Sequence, residues 1–554
     1  MTDKQTILAK YFSEENLKLA WERFIRSTGR DCKDFFGIEI YAANLGKNLK
    51  ILSDAIISGQ FKPERPFKYY EPKVSKTHRT KSVLSIDDSL VYQSIANVVA
   101  ANNYKKLTDN NSFVFGSVLH PEVEQGIDLL NNVDAEFYFF EYYLPLYNKF
   151  INSVNTEIKN TEIKFKLETD ITGFFDCIPH SKLLITLHKF GVEPEILDLL
   201  QNCLNMYSGT RDSITPGVGI PQGSAASFFF ANLFLYDLDY RISQKGYTYY
   251  RYMDDVRIYD ETEEKITDVL VLIDNYLKGM ALSLNTKKTS IEEVGANRED
   301  ETLPLLFGYD IDLEENNDKQ FYITEQNAET ENRYLIQTIG GKELIDYCKK
   351  EISEVETFLF DKFQNISVKN FDERKLANDE NLKKEIIHIA YRWRNANSIL
   401  KENDIPILNN KLIDIWLFCL KHFFWKANHF CWNLNQYGVN SSIKSELSNL
   451  LPKFENFEWV RYQILSNMAF VQNFNSTELK EFFRKSKEEK SPLVRLGYYM
   501  ILLKHTQSNQ QLFASLRQAI KDDNEHYIRT RLFSFISSCK DKNKIDELKF
   551  WFGL

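Results

Sequence analysis

Three aspartates pose the first chemical question. Asp170 closes an alternating apolar–polar segment, IKFKLETDI (163–171), and Asp254-Asp255 interrupt a β-rich segment, YTYYRYMDDVRIYD (247–260). Alternation with period two predicts a strand for the first, and two adjacent acids between β-rich runs predict a hairpin for the second. Acids on neighbouring strands can converge at one point. Carboxylate oxygens are the hard ligands that Mg²⁺ takes. Two such ions about 3.5–4 Å apart clamp the attacking and leaving oxygens of an in-line phosphoryl displacement. Asp170, Asp254 and Asp255 supply that ligand set. Taken alone, Asp254-Asp255 reads first as an ordinary turn, because turns are rich in aspartate.

The elements around these acids follow from periodicity. Apolar residues at helical spacing predict helices within 13–59, and DSLVYQSIANVVAA (88–101) predicts a buried one. The segment after Gly59 carries Pro63, Pro66 and Pro72 and reads as extended chain. Residues 224–242 are apolar and long enough for one buried helix, opened by Pro221 and Gly223. LPLLFGYDIDLEENNDKQFYIT (303–324) predicts a second hairpin turning at Asn316-Asn317-Asp318. After about residue 325 strand signals fade and amphipathic helices follow one another, with six of the seven tryptophans among them. Near the C-terminus EWVRYQILSNMAF, PLVRLGYYMILLK and HYIRTRLFSFISS place Arg461, Arg495 and Arg529 at equal spacings of 34 residues, each segment followed by another helix. A period of that size with two helices per unit predicts an α-solenoid of HEAT or TPR type. The three arginines would line a nucleic-acid groove or bond acids and carbonyls between stacked helices.

Composition narrows the class. The chain of 554 residues is 43% hydrophobic and 14% aromatic, which excludes disorder. It has no run of about 18 uncharged apolar residues, so no transmembrane helix is expected. Its N-terminus lacks a signal-peptide layout. Seven scattered cysteines without a CxxC pair fit a reducing cytosol rather than a disulfide scaffold or zinc ribbon. His422, His429 and Cys431 match no zinc spacing and read as packing.

Three segments now stand in order: KLETDITGFFDCIPH (166–180), GVGIPQGSAASFFFANLFL (217–235) and YRYMDDVRIY (250–259). They resemble the reverse transcriptase motifs, namely the Asp strand followed by Phe174-Phe175, the Pro-Gln-Gly turn and the Tyr-x-Asp-Asp hairpin. Flanking segments agree: KTHRTKSVLSIDDSLVYQSI (76–95) is similar to the fingers motif of group II intron and retron enzymes, GMALSLNTKKTSI (279–291) to the segment after the catalytic hairpin, and LFGYDI (306–311) to the primer grip. The resemblance spans roughly residues 10–325. It implies an α+β polymerase of the right-hand type, fingers and palm over 1–325, followed by an all-α HEAT-like repeat domain over 326–554 in place of the usual thumb.

The resemblance also assigns roles. Asp170, Asp254 and Asp255 would bind two Mg²⁺, or Mn²⁺ in their place, with the Ile171 carbonyl as a further ligand. Phe175 falls where the family keeps a steric gate against the ribose 2′-hydroxyl, although in a chain with 41 phenylalanines it also reads as core. Gln222 and Gly223 would line the nucleotide and template pocket. Tyr252 and Met253 would flank the primer terminus, and Phe307, Gly308 and Tyr309 would hold the primer. Lys288 would meet a nucleotide phosphate or an acid near the hairpin. Lys73, Lys76, Arg79 and Lys81 are the cations for the triphosphate, which needs several besides the metal. The family pattern is broken in SFVFGSVLHPE (112–122), where Gly116 stands at the position of a triphosphate-gripping arginine.

Among reverse transcriptases, a polymerase joined to a helical array resembles the abortive-infection enzymes of bacterial phage defence. That implies a cytoplasmic bacterial enzyme using dNTPs, DNA synthesis in response to phage, growth arrest of the host, no membrane partner and homo-oligomers of three or six. Some relatives prime on a tyrosine and keep the DNA covalently attached, which draws attention to Tyr138, Tyr142, Tyr143 and Tyr147 in the aromatic insertion at 136–155, where core packing is the other reading. Others copy a dedicated non-coding RNA, as retron and group II enzymes do, and a catalytically dead scaffold with a solenoid surface is a third reading. The net charge of −9 argues at first against a nucleic-acid partner. Yet residues 61–81 hold seven basic and two acidic residues, while 251–320 hold 8 basic and 18 acidic. The acidity therefore gathers around the metal site and adjacent loops. It favours short or protein-held DNA over a large RNA partner.

Overall fold

A computed structural model describes residues 2–26, 35–110, 112–141, 143–294, 320–323, 335–338, 341–364, 377–506 and 509–532. The chain divides into two compact units, Met1–Lys68 with Lys81–Leu303, and Tyr69–Thr80 with Pro304–Leu554. Among the described residues no helix is long and apolar enough to cross a membrane.

In the first unit, helix α1 (Ile86–Asn102) is buried along nearly its whole length, because its apolar residues surround the axis instead of forming a stripe. Ser85 caps it by accepting the Asp88 N–H at 3.1 Å. The fully buried Arg23, on the preceding helix Glu14–Arg26, donates to Asn97 of α1 at 2.8 Å. Helix α2 (Tyr143–Lys159) precedes strand β3 (Phe165–Asp170), which is followed by helices α3 (His180–Lys189) and α4 (Pro194–Tyr207).

The apolar run 224–242 is two helices, not the single one that its length suggests. Leu235, at φ −92° and ψ −4°, ends α5 (Ala225–Phe234), and α6 (Tyr236–Ser243) begins directly after it. The break accompanies the burial of Asp239, an acid inside an apolar run that needs a charged partner.

Strands β4 (Thr248–Tyr252) and β5 (Asp255–Asp260), helix α7 (Glu263–Gly279) and strand β6 (Ser290–Glu293) complete the unit. The sheet order is β4-β5-β3-β6, with every pair antiparallel. In β3, Leu167 and Thr169 are buried while Lys166, Glu168 and Asp170 keep partial exposure on the opposite face. The alternation in the sequence is thus one core face and one charged face.

The second unit includes the tip of a hairpin formed by two strands that precede α1 in the chain, β1 (Phe67–Pro72) and β2 (His78–Val83). It also has the antiparallel strand pair β7 (Gln320–Ile323) and β8 (Leu335–Thr338). A strand therefore occurs beyond residue 325, and 320–323 pairs with it. The rest of the hairpin expected over 303–324, with its turn at 316–318, lies outside the described residues.

Helices follow: α8 (Gly341–Lys362), α9 (Glu380–Glu402), α10 (Lys411–His422), α11 (Ala427–Asn435), α12 (Ser441–Leu450), α13 (Glu458–Val471), α14 (Ser476–Glu488), α15 (Pro492–His505) and α16 (Gln510–Lys521). Helix α13 packs between α11 and α15, while α14 and α16 both pack on α15. Trp393 and Trp416 are fully buried with centroids 5.5 Å apart. Gly497 of α15 approaches α13 so closely that a Cβ would come 2.9 Å from Leu465 Cβ.

The repeated arginines do the same structural work twice. Arg461 pairs with Glu489 and Arg495 with Asp523 at 2.8 Å, each acid lying 28 residues beyond its arginine. Arg495 also donates to the Glu489 and Lys490 carbonyls at 3.1 Å. Both arginines therefore join successive helix pairs. Arg529 has its ring neighbour His526 at 3.4 Å, and the third segment lies outside the described residues beyond Leu532.

The hairpin tip is held to these helices by three contacts. Tyr69 stacks on Trp459 at 5.2 Å and 14°. His78 meets the edge of Phe457 at 5.7 Å. Glu458, largely buried, accepts the Tyr70 N–H at 2.8 Å with Oε1 and the Ser491 hydroxyl at 2.5 Å with Oε2. One carboxylate thus joins the hairpin backbone to the cap of α15. Glu458→Ala strips two donors of this acceptor, a loss of about 1–3 kcal/mol. The expected readouts are a lower denaturation midpoint and faster amide exchange at Tyr70. Unchanged exchange there would mean that ring stacking alone holds the hairpin.

Candidate active site

Pairing in the sheet brings the three acids together. Asp170 lies opposite Asp255 in the β3–β5 register, and Tyr252 opposite Asp255 closes a two-residue turn of Met253 and Asp254. Met253 has φ +54°, the sign that a tight hairpin requires at its first central position.

Burial pushes the Asp254 carboxyl up to about 6, and the charge of Asp170 adds to the shift. Burial also raises Asp255, against the pull of Arg257. Arg257 donates from Nε to Asp255 Oδ1 at 3.0 Å and pairs on its other side with Glu168. Lys288 Nζ lies 3.0 Å from Asp170 Oδ2, and Asn285 donates to the same oxygen at 3.2 Å. The Asn285 N–H also bonds the Asp170 carbonyl at 2.8 Å.

Among the described residues, no three His, Cys, Asp or Glu side chains are gathered as ready metal ligands. The geometry gives a reason: Asp170 and Asp255 are each turned to a protein cation. The donor set still fits a divalent ion. Three carboxylates concentrated at one strand end, with two raised by burial, hold negative charge that such an ion would relieve.

The turn is braced from behind. The Phe115 N–H bonds the Arg251 carbonyl at 2.9 Å and the Arg251 N–H bonds the Phe113 carbonyl at 2.8 Å, so residues 113–115 run beside β4. Gly116 then lies against the turn itself, where a Cβ would come 2.5 Å from the Met253 nitrogen. The position where the family pattern has arginine is therefore closed to any side chain in this chain. Arg251, fully buried, forks onto Asp239 at 2.8 and 2.5 Å and donates to the Met253 carbonyl at 2.7 Å. Burial alone would lower its pKa, but the Asp239 charge overcomes this and raises it. Tyr249 OH donates to Asp239 at 2.7 Å.

The other residues singled out in the sequence fall as follows. Ile171 is buried and bridges to Leu284. Phe175 is 8% exposed and meets Phe228 edge-on at 5.3 Å. The Gln222 carbonyl accepts the Ser82 N–H at 3.2 Å, and Gly223 has φ +128°. Tyr252 packs on Tyr147 at 5.2 Å and Phe150 at 5.9 Å, which places the insertion helix α2 against the Asp254 hairpin. Lys81 is half-buried.

Lys73 and Lys76 shape the tip of the hairpin in the second unit. The Lys73 N–H bonds Thr77 O at 2.8 Å, and Lys76 has φ +65°. Arg79 lies 3.9 Å from Glu71. Phe307, Gly308 and Tyr309 lie outside the described residues. Sequence reasoning passed over Arg257, Asn285, Asp239 and Arg251. The first had a legible signal, since it stands two residues after Asp255 and so shares its face.

Comparison with known proteins adds a match to a family over part of the chain. Residues 71–339 match the model described as reverse transcriptase (RNA-dependent DNA polymerase). The chain carries a reverse transcriptase domain. The retron Ec86 reverse transcriptase of Escherichia coli is 26% identical over 149 residues, which are 26% of this chain and 43% of that protein. The chain thus spans less than half the length of this curated relative.

Among solved structures, apo telomerase from Candida tropicalis is 10% identical with a TM-score of 0.32, covering 73% of this chain and 69% of that one. A form truncated from its C-terminal domain is 12% identical with a TM-score of 0.29, covering 43% of this chain and 51% of that one.

Two substitutions test the brace. Gly116→Ala forces Met253 to move and should cost about 1–3 kcal/mol as overpacking. Asp239→Ala leaves a buried arginine without its carboxylate and should cost about 3–5 kcal/mol. Chemical denaturation measures both, and a wild-type midpoint for Gly116→Ala would show that the turn has room to shift.

Proposed function

We propose that this chain is an RNA-directed DNA polymerase that joins deoxynucleotides by metal-assisted nucleotidyl transfer. The register of Asp170 opposite Asp255, with Asp254 in the adjoining turn, carries the reading. Asp170, Asp254 and Asp255 would hold the ions, with the Ile171 carbonyl as a further ligand. Bound there, a pair of Mg²⁺ ions supplies charge neutralisation at the attacking and leaving oxygens. Lys288 and Arg257 keep the Asp170 and Asp255 carboxylates oriented until then. Phe175 is assigned to discrimination against the ribose 2′-hydroxyl, Gln222 and Gly223 to the nucleotide pocket, and Tyr252 and Met253 to the primer end. Lys73, Lys76, Arg79 and Lys81 are assigned to the triphosphate.

The resemblance to abortive-infection enzymes supports a role in phage defence inside a bacterial cell, with the chain assembled as a trimer or hexamer. For priming on protein, Tyr143 is the one that leaves nearly half of its surface exposed among the insertion tyrosines that the structure describes, Tyr138, Tyr143 and Tyr147. The match to the Ec86 enzyme favours a second reading, in which the chain copies a dedicated RNA.

Purified protein with dNTPs and Mg²⁺ should make DNA. Asp254→Ala with Asp255→Ala should lower the rate by more than about a hundredfold, the scale for losing charge stabilisation at a reacting centre. Synthesis that survives this double change would sink the proposal. Sequencing of co-purified nucleic acid separates the two readings: one abundant RNA supports copying, and DNA covalently bound to tyrosine supports protein priming.

A further inference from the structure

His180 is the first residue of α3, and none of it is exposed. Burial lowers the pKa of this imidazole, and its two ring nitrogens face a carbonyl and an amide oxygen. Nε2 lies 2.6 Å from the Gly219 carbonyl and is therefore the protonated nitrogen. Nδ1 lies 3.2 Å from Asn205 Oδ1 of α4; both are acceptors when the ring carries its proton on Nε2, so Asn205 joins the seam through the bond that Oδ1 accepts from the Gly217 N–H at 3.0 Å.

The backbone continues the same seam. The His180 N–H bonds Gly217 O at 2.8 Å, the Gly219 N–H bonds Ile178 O at 2.8 Å, and the Ile220 N–H bonds Phe175 O at 2.9 Å. Pro179 and Val218 form the bridge between the two segments. Gly219 has φ +88°, and a Cβ there would stand 3.0 Å from Asp176 O, so the segments meet backbone to backbone.

One side of this seam follows directly from the strand that ends at Asp170. The other side runs directly into Pro221, Gln222 and Gly223.

We propose that His180, with Asn205, is a positioning residue for nucleotide binding: it latches residues 217–220 to 175–180 and so fixes the Gln222–Gly223 turn relative to the Asp170 strand. His180 acts through the turn and touches no substrate. The link to nucleotide rests on the polymerase reading, whereas the latch itself does not.

The test uses the full-length protein with His180→Ala, His180→Gln and Asn205→Ala. Glutamine carries an N–H to the Nε2 position and serves as the conservative rescue. Amide exchange, which needs no activity, should quicken roughly tenfold at Gly219 and Ile220 in His180→Ala and stay near wild type in His180→Gln. In DNA synthesis, His180→Ala should raise KM for dNTP about tenfold with kcat changed less than about threefold, and His180→Gln should restore KM. Asn205→Ala should shift KM in the same direction, which guards against a His180→Ala protein that fails to fold.

Unchanged exchange at 219–220 overturns the latch. Loosened amides with unchanged KM overturn its link to nucleotide, as does a fall in kcat alone. A wild-type protein that makes no DNA overturns the polymerase reading, and the exchange measurement still decides the latch.

Discussion

Like charges at one strand end repel, and a folded chain that gathers three carboxylates there must offset that repulsion. This constraint organises the first unit. Lys288 and Asn285 engage Asp170, Arg257 engages Asp255, and Glu168 in turn takes the far side of Arg257. Lys166 extends the series, 3.2 Å from both Glu168 and Glu292. The charged face of the sheet is thus an alternation of signs that ends at the acids. Its partly exposed pairs are individually weak, so the arrangement serves orientation more than stability.

Orientation of Asp254 depends on backbone instead. The turn at Met253 is set by a non-glycine residue in a left-handed conformation, which costs free energy unless its surroundings impose it. Here they do. Gly116 presses on the Met253 nitrogen, and Arg251 binds the Met253 carbonyl while anchored on Asp239. Loss of the side chain at 116 is therefore coupled to the precision of the hairpin.

Much of this site was legible because it depends on local periodicity. The alternation in KFKLETD and YRYMDDVRIYD places the acids on strands, and the period of two puts Arg257 on the face of Asp255. What was not legible depends on contacts between distant residues. Nothing near Gly116 announces Met253, which is 137 positions away in the numbering. The split at Leu235 was hidden by the apolar residues on both sides of it, although Asp239 within that run was a hint that the chain must turn to reach a cation. The equal spacing of Arg461 and Arg495 was visible, and their acid partners 28 residues on could have been read from the same repeat.

The hairpin tip at 69–80 has a consequence for the order in which the chain is made. The Tyr70 N–H and the Glu458 carboxylate that accepts it are 388 residues apart. At about 5–20 residues per second, roughly 20–80 s separate their emergence from the ribosome. For that interval Tyr69 has no Trp459 to stack on, and the tip is an unclasped strand pair of the kind that invites wrong pairing. Synthesis of this protein thus passes through a long stage in which this basic segment waits for a helix that begins 388 residues after Tyr70.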